Sequence, residues 1–173
     1  AAALDRRGVA GRAAQTRLTL GRLLLERGRS ASADDAFEQA AAGAQHAGDE
    51  RLVAEARIWQ AVARTDAGQL TAAEAICRAL LAVDTAGDLR VRASATLVRV
   101  LLWQNRAEEA ATVDLADTPD EDATWAAVIG ATRVRLLVRS GRLFDAGAAA
   151  RELLDRFGAS ATMTQAIAHA AHL

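Results

Sequence analysis

Four stretches of this chain share one local grammar. GRSASADDAFEQA, GQLTAAEAICRA, NRAEEAATVD and GRLFDAGAAA open on a turn-forming residue, Gly28, Gly68, Asn105 or Gly141, and run on through a small or acidic cluster into a helix-like pattern. A longer apolar-periodic run precedes each of them. The unit is therefore a hairpin of a longer and a shorter helix, recurring roughly every 36 to 40 residues. One such hairpin cannot bury its own apolar face, so neighbours must stack, and about three are needed for stability. Four are legible here, which commits the chain to an all-α repeat architecture.

The rest of the sequence agrees. There is no tyrosine, β-branched residues do not cluster, and no Asn-Gly or Asp-Gly pair separates alternating runs, so strand signals are nearly absent. Hydrophobic residues make up 51% of the chain but aromatics only 3%, and runs such as QAAAGA show that alanine supplies much of the difference. Alanine favours helix and lets helices approach closely. Gly28, Gly48, Gly68, Gly87, Gly141 and Gly158 each follow an apolar-periodic run, where a left-handed residue ends a helix. Starts are marked by Thr118, Pro119 and Glu121, a predicted capping box, by Thr71 to Glu74 with the same logic, and by Asp49 and Asp88 as predicted caps after a repeated Ala-Gly pair. The GVAG stretch near the N-terminus reads as a flexible start.

These marks predict helices over residues 12–27, 33–46, 50–67, 71–83, 89–104, 107–116, 119–139, 143–157 and from 161 onward. Residues 1–173 are read as one helical-repeat domain with repeats at 12–46, 50–83, 89–116 and 119–157 and an extra C-terminal helix at 161–173. The chain starts at Ala1 without an initiator methionine and stops inside an apolar, helix-like stretch, so an excised segment of a longer protein is expected.

Charge narrows the classes of partner. The net charge is −1, from 21 basic and 22 acidic side chains, and the basic side is all arginine, since no lysine occurs. Such a balance gives no bulk attraction to nucleic acid or anionic lipid, though a local basic stripe is compatible with it. No stretch of about 18 apolar residues runs without a charge, so nothing in the sequence spans a membrane. The single cysteine, Cys77, cannot form an internal disulfide, which fits a reducing compartment, with the cytoplasm as the expectation.

Catalytic signatures are missing. Without lysine the chain cannot build a phosphate-binding Gly-x-x-x-x-Gly-Lys loop. His169 and His172 lie three apart and would share a helix face, but neither Cys nor an acidic residue accompanies them as a further metal ligand. Cys77 falls on the predicted core face of its helix, where a small apolar filler is the ordinary occupant. Asp34 with Asp35, Glu108 with Glu109, and Asp120 with Glu121 sit in first turns, where carboxylates complement the helix dipole. No catalytic, cofactor-binding or metal-binding residue is therefore assigned, and no cofactor is expected.

The hairpin units resemble the tetratricopeptide repeat family. The resemblance rests on the turn residue followed by a helix with a small residue at fixed offset, Ala73 in GQLTAAEAICRALL and Ala110 in NRAEEAATV. It rests also on the Leu20 and Gly21 pair in LTLGRLLLERG, and it spans roughly residues 15 to 157. It implies a right-handed superhelical array of antiparallel helix hairpins, an α-solenoid of about four repeats plus a terminal helix. Longer, alanine-rich arrays of this kind look like those of large bacterial transcription regulators and signalling ATPases. The peptide-clamping subfamily, whose basic residues are mostly lysine, is the poorer match.

Arginine on the long helices suggests where a partner would dock. Arg22, Arg99 and Arg135 stand at one offset, six positions before their turn residues, with Val62 interrupting the series and Arg64 close by. Equivalent positions line up in a stack of repeats, and the resemblance implies that this offset points into the concave groove. Arg92 and Arg139 widen the stripe, and Trp103 lies one turn beyond Arg99. Guanidinium groups beside an indole suit a carboxylate-bearing or extended peptide. The other reading of the same residues is a solvated face neutralised by Glu26 and Glu55. Trp59 falls on a core stripe with Leu52, Ala56 and Ala63, whereas Trp125 is open between packing and partial exposure.

The function expected is a non-enzymatic protein–protein interaction scaffold, serving sensing or assembly in a bacterial transcriptional regulator or signalling protein. It would bind a peptide, a partner domain or flanking parts of its parent chain, and oligomer formation stays open. The alternative is a single-stranded nucleic-acid-binding helical repeat, which the net charge of −1 and the few aromatics disfavour.

Overall fold

In a computed structural model of the protein, residues 2–83, 87–115 and 123–158 are described, with side chains from residue 8 onward. Among them the chain is helical throughout, without strands. They are α1 (Ala2–Glu26), α2 (Ser30–Ala47), α3 (Glu50–Asp66), α4 (Leu70–Leu81), α5 (Gly87–Trp103), α6 (Ala107–Ala110), α7 (Ala123–Arg139) and α8 (Leu143–Phe157). The chain divides into two compact units, Ala1–Leu89 and Arg90–Leu173.

The turns follow from the residues that make them. At Gly28, Gly48, Gly68, Asn105 and Gly141 the backbone adopts positive φ between 60° and 75°. Each then donates its N–H three residues back, and the next residue donates five back, as in Gly28 to Leu25 (2.9 Å) and Arg29 to Leu24 (2.9 Å). The same pair of bonds recurs at Asn105 and Arg106, to Leu102 and Leu101. This closes the helix by satisfying carbonyls that would otherwise be orphaned. In the four turns at Gly28, Gly68, Asn105 and Gly141 the next helix starts two residues later, and Arg29, Gln69, Arg106 and Arg142 occupy its N-cap position with φ near −90° and ψ near +60° and without a side-chain cap bond. Five residues past each turn residue stands an alanine, Ala33, Ala73, Ala110 or Ala146, and all four are buried. A larger side chain there would hold the two arms of the hairpin apart.

In the first unit the arms of α1 and α2 meet through small residues. A Cβ on Gly43 would lie 3.3 Å from the Ala14 Cβ, and one on Gly11 would lie 3.7 Å from the Ala47 Cβ. At Gly21 the missing Cβ makes the seat for Phe37, whose ring atoms stand 2.4 to 2.8 Å from where that Cβ would be. Phe37 in turn stacks on Trp59 of α3, with centroids 6.3 Å apart and planes at 21°. The core reading of Trp59 holds, and Trp125 is buried too. Cys77 is also wholly buried, as the filler reading requires, and burial pushes its thiol up to about 12.

Several boundaries differ from the sequence reading. The predicted flexible start is helical, because α1 runs through Gly8 and Gly11 from Ala2. Gly87 opens α5 and does not close α4, which ends at Leu81. Thr71 is not a cap, since α4 begins at Leu70. Asp49 does cap α3, accepting from the Leu52 N–H at 2.9 Å. Asp88, its counterpart, lies in the first turn of α5 and takes both amino groups of Arg51, at 3.0 and 2.6 Å. The predicted helix over 107–116 shortens to Ala107–Ala110. There the Thr112 hydroxyl donates to the Glu109 carbonyl at 2.7 Å, and the last N–H groups bond three residues back, so side chain and tight turn replace the helical ladder. The predicted box at Thr118, Pro119 and Glu121, the pair Asp120 and Glu121, the helix from 161, and His169 and His172 lie outside the described residues.

Candidate functional site

The second unit brings five of the six predicted partner-binding residues together along α5 and α7. Three links between these helices run in the same order on both. The Arg92 guanidinium lies 5.5 Å from the centroid of the Trp125 ring, near the start of each helix. Arg99 acts on Arg135 further along. The Arg139 Nη2 donates to the Asn105 Oδ1 at the far end. The two helices therefore lie side by side and run in parallel, which is what a repeat of hairpins demands of its long arms.

Burial separates the members of this group. Every residue of α5 from Ala93 to Leu102 is buried, and Arg99 is the one charge in that run. It is only 6% exposed, so the expectation that it projects into an open groove does not hold. Helix α5 is buried on all its faces through these turns, so a long arginine stem is covered by packed neighbours whichever way it leaves. Arg92, Trp103 and Arg135 are half-buried, and Arg139 is exposed. Burial first, and the neighbouring Arg99 charge second, hold the Arg135 guanidinium below the usual arginine range.

Among the described residues Arg135 has neither a hydrogen-bond acceptor nor a carboxylate partner. The neighbouring arginine on α7 behaves otherwise, since Arg133 donates to the Leu115 carbonyl at 2.7 Å. The Trp103 indole N–H is sheltered from solvent and has no acceptor among the described residues. One helical turn separates it from Arg99. Arg135 and Trp103 thus each offer a donor without an acceptor among the described residues.

Arg22 belongs to the first unit and has a different setting. It is exposed, and its guanidinium lies 5.1 Å from the centroid of the Trp59 ring, covering the stack of Phe37 on Trp59. Val62, which interrupts the arginine series, is buried, and Arg64 beside it is held by Asp34 at 2.9 Å. Of the carboxylates proposed to neutralise the stripe, Glu55 acts on Arg51, whose pKa is raised chiefly by its hydrogen bond to Asp88.

Sequence reasoning did not foresee Asn105 as the acceptor for Arg139. The available signal was that asparagine replaces glycine at one of four equivalent turns, which keeps left-handed backbone accessible while adding a side-chain oxygen. It also missed the tie between Arg51 and Asp88, for which the spacing carries no signal.

No group of three or more His, Cys, Asp or Glu side chains able to hold a metal occurs among the described residues, and no described helix is long and apolar enough to cross a membrane. A cleft of about 70 Å³ between α7 and α8, lined by Ile129, Gly130, Arg133 and Leu153, is well below the roughly 300 Å³ that small-molecule sites need. Comparison with protein families, curated proteins and solved structures finds no match to the chain.

Proposed function

We propose that this chain is a non-enzymatic protein–protein interaction scaffold of the tetratricopeptide kind, and that its α5 and α7 face takes an extended, acidic segment of a partner protein. The observation that carries the reading is Arg135, half-buried beside a second arginine and without an acceptor among the described residues. A carboxylate arriving there meets a guanidinium fork that matches it in shape and is partly desolvated, where pairing is stronger than in water. Arg139 and the half-exposed ring of Trp103 extend the surface along the same helices. A preformed helical face binds such a segment without large ordering costs on the protein's side. In this role the module serves sensing or assembly in a bacterial transcriptional regulator or signalling protein, in the cytoplasm, with its hairpins stacked as a superhelical array.

The test is fluorescence anisotropy with labelled peptides rich in glutamate, with neutral and basic peptides of equal length, and with a single-stranded RNA oligomer. The acidic peptide binds, added salt weakens it, and Arg135→Gln lowers its affinity about tenfold or more while the melting temperature holds. Tighter binding of the RNA, or an acidic-peptide affinity indifferent to Arg135→Gln, overturns the reading.

A further inference from the structure

Helix α8 leaves an apolar face uncovered. Its inner side is settled against α7, with Ala146 buried and a Leu153 methyl 2.4 Å from where a Cβ on Gly130 would stand. Turning around the helix, Leu143, Gly147, Ala150 and Leu154 fall at intervals of four, three and four residues and so form one stripe. Leu143 is 67% exposed and Leu154 53%. Beside the stripe, on the side away from α7, lie Arg151 and Phe144, and Phe144 is 86% exposed. Isolated exposed apolar side chains are ordinary, but a stripe of them along one helix marks an interaction surface.

The order of residues along this stripe identifies the occupant. Large, small, small, large reads alike from either end, so the stripe is complementary to itself when turned end for end. We propose that α8 pairs in antiparallel fashion with α8 of a second copy of this chain, about a two-fold axis crossing the helix midpoint. Leu143 then meets the partner's Leu154, and Gly147 meets the partner's Ala150, where small side chains let the backbones approach. The same operation carries Phe144 to within about 3 Å, along the axis, of the partner's Arg151 on the same side of the pair, so that each ring lies within reach of a guanidinium. A parallel pairing would align the two helix dipoles, which is unfavourable, and would leave Phe144 and the partner's Arg151 on opposite sides of the seam. An isologous contact of this kind closes on itself and stops at the dimer. One helix pair is a small interface, which places the association in the weak, reversible class.

Sedimentation velocity on the full chain across a concentration series reads the association directly. A reversible dimer is expected, and Phe144→Glu should raise its dissociation constant about 30-fold with an unchanged circular dichroism spectrum. Orientation is read by oxidising Leu143→Cys and Leu154→Cys variants, alone and mixed. Buried Cys77 stays out of the reaction, since burial holds its thiol protonated. The antiparallel pair gives the mixed disulfide and little of either homodimer, because positions 143 in the two copies are about 16 Å apart along the axis and disulfides need Cα atoms within about 7 Å. A monomer at every concentration overturns the proposal, as does a dimer indifferent to Phe144→Glu or a dominant disulfide between two copies of Leu143→Cys. It is overturned equally if the full chain is monomeric and dimerises only after removal of residues 159–173, which would make that segment the occupant.

Discussion

The seat of Phe37 on Gly21 allows one chemical change, glycine to alanine, to be made where its two consequences oppose each other. Inside a helix the substitution contributes about 1 kcal/mol through backbone entropy. At Gly21 the added methyl would stand 2.4, 2.6 and 2.8 Å from three atoms of the Phe37 ring. That ring is wholly buried and stacked on Trp59, so it has no free rotamer to turn into. Relieving the overlap requires a shift of about 1 Å in a packed core, and overpacking of that kind costs about 1–3 kcal/mol. With three ring atoms inside contact distance the upper part of that range, about 2–3 kcal/mol, applies, so net destabilisation of about 1–2 kcal/mol is expected for Gly21→Ala. At Gly130 the methyl also meets an atom at 2.4 Å, but that atom is the end of the half-buried Leu153 side chain, which can move aside. Gly130→Ala should therefore be nearly neutral. At Gly8 nothing lies within 4 Å, and Gly8→Ala should stabilise by up to about 1 kcal/mol, less whatever fraying of the first turns removes. Urea unfolding followed by far-ultraviolet circular dichroism and tryptophan fluorescence measures all three. A Gly21→Ala protein as stable as the parent, or an order other than Gly8, Gly130, Gly21 from best to worst, would refute the account of how α1, α2 and α3 pack.

Further expectations separate residues that look equivalent in the sequence. Asp49→Ala removes a helix cap and should cost about 1 kcal/mol in urea titrations, whereas Asp88→Ala removes a surface ion pair worth less than about 1 kcal/mol, an effect that fades as salt is added. Asn105→Ala keeps a positive φ without either relief, losing the acceptor for Arg139, and should destabilise by about 1–2 kcal/mol. Asn105→Gly trades that acceptor for an unstrained backbone and should stay within about 0.5 kcal/mol of the parent. For Cys77 the folded thiol holds its proton up to about 12, while the unfolded thiol loses it near 9. The folded state therefore binds more protons in that window, and the Cys77 contribution to stability falls with rising pH by up to about 1.4 kcal/mol per pH unit. Urea melts of the parent and of Cys77→Ala between pH 8 and about 10.5 check this through the difference in their slopes.

What the sequence determined by itself was local. Helix type followed from alanine content and apolar period, and the ends at Gly28, Gly48, Gly68, Asn105 and Gly141 followed from residues that tolerate positive φ, because each depends on atoms within five residues along the chain. The small residues Ala73 and Ala110 at a fixed offset past their turns were legible too, while their burial, shared by Ala33 and Ala146, came from the packing of the hairpin arms. Tertiary structure decided whatever depends on neighbours distant in sequence. Asp49 and Asp88 stand in the same Ala-Gly-Asp motif, yet one caps a helix and the other binds Arg51, since only the fold brings a guanidinium to the second. Arg22, Arg99 and Arg135 share an offset, yet one covers Trp59, one is buried and one is left with donors to spare. An offset specifies a direction from the helix axis, and the burial and charge met in that direction belong to the helices packed around it.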